Sequence, residues 1–190
     1  MTILGLAEST VAPLIRALCP DDAELDRDAI AERFARAAWS AISEPGDADA
    51  GHLIAVLGAE ASVAALTGVP WPARDGAPVD VTPLEEALAA VGDEELSRSD
   101  LVDAAARWRS RVSAPTVRLA LRQAARFGAA LVVPGDPDWP IGVNDLGDSA
   151  PHALWVRGDR ALLGRLERSI AIVGARAATG YGEHVTVEAS

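Results

Sequence analysis

Residues 169–182 read Ser-Ile-Ala-Ile-Val-Gly-Ala-Arg-Ala-Ala-Thr-Gly-Tyr-Gly, a run whose residue types suit the binding of an anion. Residues 169–173 are apolar and β-branched, as a short buried strand is. Gly174 ends that strand, and a loop of small residues follows that carries one cation, Arg176. Thr179, Gly180, Tyr181 and Gly182 then lead into a helix start. Strand, glycine-bounded loop and helix N-terminus together turn backbone N–H groups towards a phosphate. The guanidinium of Arg176 adds charge-assisted bonds to the same oxygens. Gly174, Ala175, Arg176, Thr179, Gly180, Tyr181 and Gly182 are therefore the candidate site, with Tyr181 at the loop mouth placed to stack on a base.

The pattern is neither of two familiar phosphate loops. No Gly-Lys-Ser/Thr follows Gly174 at Walker A spacing. The third glycine of a dinucleotide fingerprint built on Gly180 and Gly182 would fall at Val185. As a pattern alone it fits an ordinary βα turn with a solvated arginine equally well.

Other chemistry-bearing residues read as structural. His52, His152 and His184 lack ligand-like spacing, so no metal site is expected. Asp136 and Asp138, beside Trp139, read as a solvated turn rather than a catalytic carboxylate pair. Trp155, in an apolar run, reads as core rather than as a stacking platform. Cys19 is the one cysteine, which excludes an internal disulfide, and it reads as a small buried hydrophobe. Leu57-Gly58-Ala59 suits a helical hairpin, but the surrounding carboxylates argue against DNA contact there. No catalytic constellation and no cofactor motif is present, so a non-enzyme is expected.

The elements that must position the loop begin with short helices. Apolar residues at helical spacing (Ile30, Phe34, Ala37, Ala38, Ile42) predict a helix over residues 28–42, ended by Ser43-Glu-Pro-Gly46. Further helices are predicted over 53–57, stopped by Gly58, and over 59–66. A Pro-rich linker follows at 69–78. Thr82-Pro83-Leu84-Glu85 predicts a helix start with Thr82 as cap and Glu85 closing a capping box. Ser99-Asp100 opens another helix to Arg111, with Leu101, Ala104, Ala105 and Trp108 on one face. These pieces predict a small all-α domain over residues 25–112, after an N-terminal segment, 1–24, broken by Pro13 and Pro20. From residue 113 the pattern changes to helix (116–127), strand (129–133), a turn-rich loop (134–140), strand (153–157), short helix (161–167) and strand (170–173). That order opens an α/β domain over 113–190. Only eight residues follow Gly182, fewer than such a sheet needs, so the domain is expected to be cut short.

Composition bounds the reading. Of the 190 residues 49% are hydrophobic and 24% charged, the balance of a folded chain. No window approaches the ~20 apolar residues of a membrane span, and the N-terminus lacks a basic signal region, so a cytoplasmic location and no membrane contact are expected. Net charge is −11, all of it in residues 1–114, where nine arginines face twenty carboxylates; residues 115–190 carry eight of each. There is no lysine. Bulk electrostatics therefore disfavours a nucleic acid on the first half, and a polyanion contact must come from local arginines in the second.

The order of motifs in that second half resembles the DprA/Smf family (DNA-processing protein A). Trp139-Pro140 stands for the family's Tyr-Pro, Leu154-Trp155-Val156-Arg157-Gly158 for its Leu-Tyr-Val-Arg/Lys-Gly, and Val173-Gly174-Ala175-Arg176 for its Val-Gly-Ser-Arg, followed by Tyr181-Gly182. The match covers residues 116–190; the helices before it resemble, less closely, the sterile-alpha-motif-like or helix-hairpin-helix-like N-terminal domain of many members. The resemblance implies a Rossmann-like domain that binds single-stranded DNA, dimerises and loads the RecA recombinase during natural transformation. It places the equivalent of Gly174–Gly182 in the DNA pocket, with Arg176 on a phosphate. Two departures stand out: Ala175 replaces the usual serine, and the family's second glycine-rich segment is not in this sequence. Two other readings stay open, a nucleotide-derivative-binding module of the related cytokinin-releasing type and a non-functional remnant.

Overall fold

A computed structural model describes residues 2–19, 25–71, 79–169 and 179–189. Helix α2 (Arg27–Ile42) is its axis, because its buried face is wide: Ile30, Phe34, Ala35, Ala38, Trp39 and Ile42 are all buried, with Glu32, Arg33, Arg36 and Ser40 on the other side. Asp26 caps its start by accepting from the Ala29 N–H at 2.8 Å, and the Ser43 hydroxyl closes its end on the Trp39 carbonyl. Helices α1 (Glu8–Arg16), α4 (Ala59–Gly68) and α7 (Ala114–Arg126) pack around it.

The N-terminal segment is more ordered than its prolines suggest. Strands β1 (Thr2–Ile3) and β2 (Leu6–Ala7) form a minimal antiparallel hairpin that runs into α1. Pro13 lies inside α1 instead of breaking it. Its ring removes one hydrogen bond, to the carbonyl of exposed Ser9, which faces water, while Val11 and Ile15 hold the helix against the core.

Helix α3 (Ala48–Leu57) begins five residues before the predicted start, on the Asp47 side chain, and ends at Gly58 in a left-handed conformation with φ 81°. Helix α4 leaves at once, bent by 113° from α3. Trp39 is the hub of this corner. Its indole N–H donates to the Ser62 hydroxyl at 2.9 Å, and its ring meets Trp108 edge-on at 5.1 Å. The Trp108 N–H in turn donates to Asp47 at 2.8 Å, tying α6 (Arg98–Trp108) to the α3 cap. Burying side chains of this size contributes about 2–3 kcal/mol each.

Helix α5 (Thr82–Ala90) starts where expected, but not by the expected cap. Thr82 does not cap: both its N–H and its hydroxyl donate to Asp80, at 3.1 and 2.6 Å, and Glu85 pairs with Arg98. Asp80 takes the Thr82 N–H that Glu85 would accept in a capping box, and the Glu85 N–H donates to the Val81 carbonyl instead of the Thr82 hydroxyl. The capping box is instead at α6, between Ser97 and Asp100.

Strands β3 (Ala130–Val132) and β4 (Leu154–Val156) pair antiparallel, with Leu131 opposite Trp155. The Leu131 N–H donates to the Leu18 carbonyl at 2.9 Å, joining this small sheet to the end of α1. Between the strands, two 3-10 turns over Ile141–Ser149 meet at a kink at Gly147 and lie on α3. The predicted helix over 161–167 is a 3-10 helix, Arg160–Arg168. The predicted strand over 170–173 lies outside the described residues. The architecture is thus mostly helical with small sheets, α/β in class, and one hydrophobic core runs through α1, the helices of 25–112, α7, β3 and Ala153. Among the described residues no single helix is long and apolar enough to cross a membrane.

Candidate nucleic-acid interface

Of the seven candidate residues, Gly174, Ala175 and Arg176 lie outside the described residues. The other four open helix α8 (Gly180–Ala189). Thr179 acts as its cap: the Thr179 hydroxyl accepts from the Gly182 N–H at 3.3 Å, and the Thr179 carbonyl accepts from the Glu183 N–H at 3.0 Å. A hydroxyl that takes the third N–H of the first turn leaves the first two, those of Gly180 and Tyr181, as the groups without an intrahelical acceptor. Among the described residues a Cβ at Gly180 would meet nothing within 4 Å, and Tyr181 is 78% exposed.

The elements leading to this loop are held by the residues that carried the motif order. Trp139 is buried, with its indole N–H donating to Asn144 at 2.9 Å. Asp136 and Asp138 do not form a solvated turn. Asp136 accepts from the Val133 N–H at 2.8 Å and from Arg33 at 2.5 Å, and Asp138 pairs with Arg160 at 3.3 Å. Both carboxylates are spent on structure. Trp155 is not core: it is on the outer face of β4, 38% exposed, with its N–H on the Ser40 hydroxyl at 3.2 Å. The interior place is taken by His152, whose ring faces Trp39. Burial, with help from the nearby Arg36 charge and against the pull of Asp47, pushes His152 down to about 4, so it is neutral at pH 7.

One constellation was invisible in the sequence. His52 of α3, Asp93 and Glu95 of the α5–α6 connection, and Asp148 of the 3-10 turns converge. The His52 Nε2 lies 3.0 Å from Asp93, and its Nδ1 lies 3.6 Å from both Glu95 and Asp148. Burial alone would lower the pKa of His52, but the Asp93 bond and the three carboxylate charges outweigh it and raise it. The carboxylates therefore stabilise the imidazolium; only with that proton lost do His52, Glu95 and Asp148 offer a nitrogen-and-oxygen donor set of a type divalent cations take.

The comparisons with known proteins fall on the second half of the chain. Residues 130–190 match the family of the DNA recombination-mediator protein A. Two curated relatives, putative DNA processing proteins DprA of Mycobacterium tuberculosis strains CDC 1551 and H37Rv, are each 37% identical over 73 residues. That alignment covers 33% of this chain and 19% of each relative, so the chain matches about a fifth of their length. No solved structure matches. The matched segment takes in β3, the buried Trp139, β4 and the Thr179-capped start of α8, and with them every motif on which the resemblance was read. Over residues 130–190 the chain is thus similar to the DNA recombination-mediator protein A family.

Proposed function

We propose that this chain is part of a non-catalytic, cytoplasmic protein that binds single-stranded DNA and passes it to the RecA recombinase, acting as a homodimer in DNA uptake and recombination. The observation that carries this reading is the family match over residues 130–190, which spans the whole loop from Gly174 to Gly182. In this reading residues 113–190 are the start of a Rossmann-like domain, and the helices of 25–112 are its sterile-alpha-motif-like companion. Arg176 supplies the charge on a strand phosphate, the first N–H groups of α8 supply hydrogen bonds, and Tyr181 supplies a ring for a base. None of these contacts reads base identity, so binding is sequence-tolerant and weakens with salt.

Fluorescence anisotropy of a labelled oligo(dT), titrated with the chain and with Arg176→Ala, tests it. Salt-sensitive binding that Arg176→Ala weakens supports the reading. Binding that ignores Arg176 and is fully displaced by a mononucleotide overturns it in favour of a nucleotide ligand.

A further inference from the structure

Many acidic side chains of this molecule are matched by an arginine, as Asp47 and Asp49 are by Arg107 and Asp136 is by Arg33. The carboxylates around His52 are not. Among the described residues no arginine pairs with Asp93, Glu95 or Asp148, and the imidazole is the one basic group they share. Three negative charges therefore face a ring that balances one of them at most.

The ring is fixed in place. The His52 side chain is 8% exposed. A carboxylate only accepts, so Nε2, 3.0 Å from Asp93, carries the hydrogen between them. The same Asp93 oxygen accepts the Glu95 N–H at 3.3 Å, so one atom orients both the imidazole and the backbone of Glu95. That leaves Nδ1 without a hydrogen bond, facing Glu95 and Asp148 at 3.6 Å each. On the third side Gly51 carries no Cβ, which lets the Asp148 backbone come close to α3. A bare Nδ1 lone pair set against two carboxylate oxygens is repulsive. A proton on Nδ1 relieves that in part; a cation in the gap relieves all three atoms at once.

The spacing of the three groups suits such an ion. One ligand atom from each of His52, Glu95 and Asp148 lies within 4.8 Å of the others. Bonds of about 2.1 Å to a tetrahedral ion set its ligand atoms about 3.4 Å apart, and both nitrogen–oxygen spacings are already near that. A nitrogen with two carboxylate oxygens suits zinc and its neighbours, whereas magnesium and calcium take oxygen alone. Asp93 on the far nitrogen is the carboxylate–imidazole arrangement that stands behind bound metals. Glu95 is 71% exposed, so the gap opens to solvent. We infer that His52, Glu95 and Asp148 bind a first-row divalent metal ion of the zinc type, with Asp93 as the residue that positions the ring. The ion replaces the Nδ1 proton, which leaves to solvent. Its ligands come from α3, the α5–α6 connection and the 3-10 turns, so it staples a part of the family-matched segment to the helices before it. The expectation of no metal site rested on histidine spacing; here one histidine meets carboxylates from two distant segments. The site is independent of the DNA-binding reading.

The test titrates the full chain, stripped of metal with a chelator, with zinc chloride. Calorimetry is expected to show binding, NMR to show the His52 ring resonances moving, and amide exchange over residues 141–149 to slow as the ion ties the turns to α3. Glu95→Gln/Asp148→Asn is expected to weaken zinc binding by about a hundredfold or more, and Glu95→Gln alone, at an exposed side chain that the fold does not need, by about tenfold. Asp93→Asn is expected to weaken it by about tenfold or more and to shift the tautomer balance of the metal-free ring, read from its nitrogen resonances. His184 beside Glu188 on α8 is an exposed pair that could take zinc by chance, and His184→Gln is expected to leave the His52 response unchanged. The inference is overturned if zinc leaves the His52 ring unmoved, if Glu95→Gln binds as tightly as the parent, or if His184→Gln alone abolishes binding. Magnesium or calcium moving the ring at the same concentration overturns it as well.

Discussion

Arg33 in the middle of α2 and Asp136 in the turn after β3 meet at 2.5 Å across 103 residues of sequence, with both side chains nearly buried. Asp136 also accepts the Val133 N–H, so one carboxylate closes the turn and fastens it to the helical axis. Removing either partner of a buried pair strands the other charge and costs about 3–5 kcal/mol. Arg33→Ala and Asp136→Ala are each expected to destabilise the chain by about that much in urea denaturation. The double variant should lose clearly less than the two losses combined, because it leaves no orphaned charge. Additive losses would mean that the two residues act separately.

Gly51 of α3 touches the backbone of the 3-10 turns. A Cβ there would sit 1.8 Å from the Asp148 carbonyl oxygen, an atom of the backbone rather than the end of a side chain that could swing away. Gly51→Ala therefore requires the turns to move off α3, at about 1–3 kcal/mol or more. The expected result is a lower urea midpoint together with faster amide exchange confined at first to residues 141–149. A variant as stable as the parent would show that this contact is looser than its geometry.

His152 sets an acid limit. Its folded pKa, about 4, lies below the unfolded value near 6.5, so the unfolded chain binds the proton first as pH falls. The stability tied to the neutral ring is complete above about pH 6.5 and drains away between there and pH 4, by about 3 kcal/mol at most. His152→Leu keeps the volume and removes the proton site. It is expected to flatten the loss of stability over that window; an unchanged pH profile would assign the loss to other groups.

His52 acts with the opposite sign. Its folded pKa is raised, so it contributes stability that is complete below about pH 6.5 and is lost as pH rises through the folded value. Asp93→Asn removes the hydrogen-bonded charge and should lower that pKa, read directly from the imidazole resonance in a pH titration by NMR. A His52 resonance that titrates identically in both chains would show that Asp93 does not hold the proton.

The two helix starts offer a contrast in one small effect. Ser97→Ala removes the cap of α6 and is expected to cost about 1 kcal/mol. Thr82→Ala removes only a hydroxyl bonded to exposed Asp80 and should cost a few tenths of that. Equal losses in thermal denaturation would restore Thr82 to the role its sequence suggested.

Local features were legible where local physics decides them. The repeat of Ile30, Phe34, Ala38 and Ile42 marked α2, and Leu101, Ala104, Ala105 and Trp108 marked the buried face of α6, because burial of a helix face imposes that spacing. Gly58 ends α3 as its sequence predicts, with positive φ. Errors arose where a second residue competes for the same group, as Asp80 does for Thr82, or where neighbours outweigh a local cost, as the core does at Pro13. Long-range convergence left no trace in spacing: nothing local links His52 to Glu95 and Asp148, or sends Trp155 outward and His152 inward. Thr179 through Gly182 stand at a helix start, as their sequence predicts, while Gly174, Ala175 and Arg176 lie outside the described residues.

The bond from Leu131 to the end of α1 bears on the order in which this chain is made. Leu18 leaves the ribosome long before its partner exists, since 112 residues separate the adjoining Cys19 from Leu131. Until α7 and β3 emerge, Val11, Ile15 and Leu18 lack part of the surface that buries them, and the nascent helices must wait with apolar faces uncovered. The matched segment is thus a closing piece for the helices translated before it, and a ribosome stalled short of residue 131 would display a chain marked for chaperones rather than a finished N-terminal module.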